Sequence, residues 1–178
     1  YTGYTGYTGY TGYISATGIA YSNYPYWDQT TQSWKSENGS IVHIGYEAGL
    51  TSQNLGAVAI GYQAGYTQQS TFSIAIGYQA GQTNQGSLSV AIGYQAGQTN
   101  QKVSAVAIGN IPGQNSQGTE AVAIGISAGS ASQGNYAVAL GSSAGESVQS
   151  FQSISIGRQA GQVNQSSNAI SIGMQAGN

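Results

Sequence analysis

Ala57-Val58-Ala59-Ile60-Gly61, continued by Tyr62-Gln63-Ala64-Gly65, is the stretch that decides how this chain folds. Large and small apolar residues alternate with period two, which is the periodicity of a strand rather than of a helix. Val58 and Ile60 share one face, and Ala57 and Ala59 share the other. The Val/Ile face is expected to fill the inside of the fold. Gly61 follows the strand directly and suits a corner, because glycine reaches backbone angles that other residues avoid. Gly65 is expected to form a second corner after a short extended piece, Gln63-Ala64.

The same text returns every 16 residues without insertion or deletion, as Gly45, Gly61, Gly77, Gly93, Gly109, Gly125, Gly141, Gly157 and Gly173. A second glycine series runs four residues behind it, from Gly49 to Gly177. A glutamine series, Gln53, Gln69, Gln85, Gln101 and onward to Gln165, keeps the same step. A 16-residue unit is far too short for a helix pair, which needs more than about 30 residues. It matches one rung of a two-sided parallel β-solenoid. Residues 41–178 hold eight full coils and part of a ninth, or roughly 40 Å of rod at about 4.8 Å per rung. Like residues then stack in columns, and the Gln53 series is expected to form an amide ladder from rung to rung. A disordered low-complexity tract would not keep a paired, largely Val/Ile column through the coils.

Only 4% of the residues are charged, with three basic and five acidic side chains. Phosphate recognition needs clustered Lys and Arg, so neither nucleic acid nor an anionic membrane surface is expected as a partner. No apolar run approaches the length of a membrane span, so no membrane insertion is expected. The chain has no cysteine, hence no disulfide and no thiolate metal site. Its polar surface must be built from amides and hydroxyls.

Before the coils lie two other segments. Residues 1–18 carry Gly3, Gly6, Gly9, Gly12 and, beyond the interruption at Ser15, Gly18. Glycine at every third position is what a collagen-like triple helix demands at its crowded axis. Such a stalk requires three strands, so a homotrimer is expected. The small column Ala59, Ala75, Ala91, Ala107, Ala123 is the candidate trimer contact, since two backbones can approach closely there; the opposite assignment, with Val/Ile at the axis, stays open. Residues 19–40 fit neither repeat. Tyr24, Tyr26, Trp27 and Trp34 flank a polar centre from Asp28 to Ser33, which reads as a β-hairpin or tight loop. This neck is expected to cap the first coil, as solenoids require. Trp27 and Trp34 are also candidate glycan contacts.

No chemistry emerges from the remaining polar residues. His43 is the sole histidine, and without cysteines or a carboxylate pair it forms neither a metal site nor a triad. The carboxylates are scattered over different coils and different positions of the unit. The glycine-rich turns lack the Lys-Ser/Thr of a phosphate loop. The expectation is a non-enzymatic chain without cofactor or metal.

One surface column is graded along the rod. Tyr46, Tyr62, Tyr78 and Tyr94 follow the corner glycine in the first four coils and give way to Asn110, Ile126, Ser142, Arg158 and Met174. These tyrosines are expected to stack as an exposed ladder, with Tyr62, Tyr78 and Tyr94 as candidate contacts for a neutral glycan.

The V-A-I-G text at Val58–Gly61, Val90–Gly93, Val106–Gly109 and Val122–Gly125 resembles the head repeats of trimeric autotransporter adhesins of the YadA type. That resemblance covers about residues 41–178 and implies a left-handed parallel β-roll trimer whose head binds host surfaces. The coils here are longer than is usual in that family by one or two residues. A glycine-tyrosine-threonine run, a Tyr26-Trp27-Asp28 neck and the coil text from Ala91 to Gln101 also look similar to fibre proteins of giant DNA viruses, with related modules in phage tail fibres. Together these likenesses imply an extracellular or virion-surface fibre, serving as spacer and attachment element toward a host-surface glycan or protein. Two other classes stand beside it: a purely structural filament, and an ice-binding solenoid. Against the last, the Thr51, Thr67, Thr83, Thr99 column fails from Asn115 onward.

Overall fold

The structure, a computed structural model, describes residues 24–28, 31–36 and 39–177. The chain divides into two units, Tyr1–Gly39 and Ser40–Asn178. The expected collagen-like stalk, residues 1–18, lies outside the described residues.

In the first unit, β1 (Pro25–Asp28) pairs antiparallel with β2 (Ser33–Ser36). This is the hairpin expected around the polar centre. Trp27 and Trp34 are directly opposed across the pair. Their rings meet edge to face with centroids 5.7 Å apart, a geometry that the ring quadrupole favours. The Asp28 carboxylate closes the turn by accepting from the Thr31 backbone N–H at 3.0 Å. The Lys35 ammonium donates to the same carboxylate.

The second unit is a parallel β-solenoid of about eight turns with 16-residue coils, and no helix occurs among the described residues. Its front sheet has nine strands stacked in strict chain order from Val42–Ile44 to Ile170–Ile172. Register is shifted by one coil at each step, as in Val58 against Ile74 and Ala59 against Ala75. The rear ladder is thinner. It consists of Thr51–Gln53, Thr67–Gln69 and Thr83–Gln85, then Ser132–Gln133 with Val148–Gln149, joined by single bridges such as Gln101–Gln117 and Gln117–Gln133.

Turn placement differs from the expectation. Gln63-Ala64 is not extended: residues 62–65 form one turn, with Gln63 at φ 51°. The two glycines therefore bracket a single corner, and the rear strand begins after the second of them. The other corner lies after the rear glutamine, and its left-handed position is filled by a residue other than glycine in every coil after the first, which has Gly56. Phe72, Leu88 and Tyr136 adopt φ of 56°, 60° and 61° there.

The glycine requirement at the first corner is stronger than conformational freedom alone. A Cβ on Gly93, itself at φ 126°, would lie 1.9 Å from the backbone oxygen of Gly109. Successive coils stack backbone on backbone at this column, and only a residue without a side chain permits it.

The expected orientation of the front strand is reversed. Ala59, Ala75, Ala91, Ala107 and Ala123 are all completely buried. Val58 and Ile60, with their equivalents, face outward and are covered only in part. The interior is too narrow for branched side chains, so it is lined by Ala57, Ala59 and Ala64 and filled by one glutamine per coil. The alanine column consequently cannot be a contact between chains, because no surface of it is available to a second roll.

The glutamine column does more than stack. Gln101 Nε2 reaches across the roll to the Val90 carbonyl at 2.9 Å and to that of Ala105 at 3.2 Å. The same pair of bonds recurs at Gln69, Gln117, Gln133, Gln149 and Gln165. Amide-to-amide links join Gln85 to Gln101, Gln101 to Gln117, and Gln133 to Gln149. Each buried amide thus ties the front strand to the rear corner, and the inter-coil ladder is the lesser part of its work.

Candidate interaction surfaces

The front sheet presents two outward columns. One reads Val42, Val58, Ile74, Val90, Val106, Val122, Val138, Ile154, Ile170; the other reads Ile44, Ile60, Ile76, Ile92, Ile108, Ile124, Leu140, Ile156, Ile172. All 18 positions are apolar and all but Leu140 are β-branched. β-Branched side chains suit a pleated surface and stand with one stiff χ1 rotamer. Most inner members are half-buried, and the last two, Ile170 and Ile172, are about two-thirds exposed. No other outward column keeps a single chemical character through all coils. Apolar surface of this continuity is of the kind that interaction sites present.

A second surface carries the tyrosine ladder. Tyr46, Tyr62, Tyr78 and Tyr94 stack with centroids 5.3, 5.1 and 5.2 Å apart and ring planes within 14° of parallel. Beside it runs an outer double ladder of amides. Gln79 and Gln82 both donate to Gln63 Oε1, at 3.0 and 3.1 Å, and Gln95 and Gln98 repeat this toward Gln79. Glu47 terminates the series by accepting from Gln63 at 2.8 Å. The Tyr46 hydroxyl bonds to the Glu47 carboxylate, which is the main cause of a phenol pKa above its ordinary value; the charge of Glu47 adds to it.

Stacking changes what Tyr62, Tyr78 and Tyr94 can offer. A sugar ring packs on an open aromatic face, and here both faces of Tyr62 and Tyr78 and one face of Tyr94 lie against a neighbouring ring. Within the ladder only edges and hydroxyls reach solvent, so face packing on a glycan is not available at Tyr62 or Tyr78. Trp27 and Trp34 differ: each is at least 40% exposed and they meet edge to face, which leaves aromatic surface open.

Among the described residues no group of three or more His, Cys, Asp or Glu is arranged to hold a metal ion. His43 lies at the first position of the alanine column, in register with Ala59. A shallow open groove of about 490 Å³ on the rear side is lined by Ser52, Asn54, Gln68, Ser70, Asn84 and Lys102 among others. No helix among the described residues is long and apolar enough to cross a membrane. Comparison with protein-family models, with curated proteins and with solved structures returns no match.

Proposed function

We propose that this chain is a segment of a homotrimeric surface fibre, extracellular or on a virion, in which three rolls turn their Val/Ile faces toward a common axis. The observation that carries this reading is the unbroken pair of apolar columns on the front sheet. A second copy is the partner that fits them, because it repeats with the same spacing along its whole length. Branched side chains on a flat, regular pleat can then interdigitate coil by coil. The glycine triplets of residues 1–18 support the number three independently, since a collagen-like helix is built from three strands. A left-handed winding of the roll follows from the likeness of its coils to YadA-type heads.

In this role the rolls serve as a spacer of fixed length, non-enzymatic and without cofactor, and the Trp27/Trp34 pair is the attachment element toward a host-surface glycan or protein. A purely structural filament is the second reading, favoured by the mutual stacking of the tyrosines, which leaves Tyr62 and Tyr78 without an open ring face. Sedimentation equilibrium of the chain tests the assembly. The expected mass is three chains, falling to one in the Val106→Lys/Ile108→Lys variant with the strand signal in circular dichroism retained. A monomeric parent chain would refute the trimer. A glycan array with the Trp27→Ala/Trp34→Ala variant as control separates attachment from the filament reading.

A further inference from the structure

The geometry points to the tyrosine ladder as a site of covalent oxidative cross-linking, in which neighbouring rings of one chain are joined as dityrosine. Four phenols stand on successive coils, between 42% and 57% exposed, with their rings nearly parallel and centroids no more than 5.3 Å apart. Two phenoxyl radicals on adjacent rungs are therefore already partners, held together by the strand register rather than by diffusion. Positioning of this kind is worth a large effective concentration.

The ladder also contains a proton acceptor. The Tyr46 hydroxyl bonds to the Glu47 carboxylate, which can take the proton as the ring loses its electron. Close stacking lets the electron deficiency move from ring to ring until a second oxidation leaves two radicals side by side.

The reaction balances as follows. The oxidant is hydrogen peroxide acting through a haem peroxidase, neither of which this chain supplies. Each of two phenols gives up one electron and its hydroxyl proton. A carbon–carbon bond forms between ring carbons adjacent to the oxygens, and each displaced ring hydrogen returns to a phenol oxygen. Peroxide takes two electrons and two protons and leaves as two waters. Only the rings must move: they swing from stacked to edge-joined about their own side-chain torsions, while the strands stay in register. In a chain without cysteine, such a bond would staple neighbouring coils where a disulfide cannot.

The test treats the whole folded chain, at high dilution, with a plant-type haem peroxidase and hydrogen peroxide. Elastase digestion and peptide mass spectrometry then locate the products. The expected result is dityrosine between tyrosines one coil apart, at Tyr46–Tyr62, Tyr62–Tyr78 and Tyr78–Tyr94, and a product that runs as one chain on a denaturing gel. The Tyr62→Phe/Tyr78→Phe variant retains the stacked rings and should lose nearly all of this product. The urea-unfolded chain should lose the preference for one-coil spacing. Links found mainly between chains, or at Tyr24, Tyr26 or Tyr136, or formed equally by the unfolded chain, would overturn the proposal.

Discussion

Ile111 sits at φ 52°, where the coils on either side carry Gln95 at 49° and Ser127 at 54°. Left-handed backbone is costly for a β-branched residue, on the order of 1–2 kcal/mol. Five of the nine coils place glutamine at this position, as Gln63, Gln79, Gln95, Gln159 and Gln175. Replacing Ile111 by Gln relieves the branching at Cβ and adds a donor toward Gln95 Oε1, extending the outer ladder by one rung. We expect a gain of about 1 kcal/mol, read as a higher thermal midpoint; an unchanged or lower midpoint would mean that Ile111 contributes packing that outweighs its strain. Tyr46 gives a second residue-scale expectation. Its hydrogen bond to Glu47 raises the folded pKa above the unfolded value, which is about 10. The stability from this contact is therefore complete below about pH 10 and is lost as pH rises through the folded pKa. Ultraviolet titration of tyrosinate in the parent and in Glu47→Gln should differ by a late-ionising phenol that moves down in the variant. The left-handed residues were the least legible feature of the sequence. Asn84 and Asn100 carry some signal, because asparagine tolerates that region, but Phe72 and Leu88 carry none: stacking on the coil above, not local preference, puts them there.

Within one coil, the elements depend on a buried amide. Gln101 is 1% exposed, and its Nε2 contacts the Val90 and Ala105 carbonyls and Gln117 Oε1, while its own Oε1 accepts from Gln85 at 3.2 Å. Leucine at this position keeps most of the volume and strips all of these bonds. Loss of buried partners should cost about 2–3 kcal/mol in a urea titration of Gln101→Leu, with the transition slope unchanged. A cost below about 0.5 kcal/mol would show that the amide is dispensable. The strand, the corner glycine and the glutamine column were all readable from spacing. Which strand face points inward was not. Alternation states only that two faces differ; the width of the roll decides which one is inside. Sixteen residues with two turns leave rear and front ladders close together, so Ala59 and its column fit within and Val58 and Ile60 do not.

For the molecule as a whole, that inversion moves the apolar columns to the surface and with them the expected contact between copies. A lysine at Ala91 or Ala107 enters a filled interior and should unfold the roll, so it cannot report on assembly. Lysines at Val106 and Ile108 stand outside it and can. The tyrosine column was equally readable, since like residues at a 16-residue step had to stack, but stacking closed the ring faces that a sugar would need. The hairpin tryptophans kept theirs, because an antiparallel pair with a T-shaped contact leaves ring surface uncovered.

The backbone-on-backbone contact at the corner glycines has a final consequence. Each coil meets the next through the same bonds at the same offset, so the rod behaves as a ruler graduated in whole coils. A gene encoding it can gain or lose one graduation by duplication or deletion and still close every ladder across the join. A shift by a single codon would set Gly93 against Ile108 or Asn110, each bearing a side chain, and the length of the rod is thereby quantised.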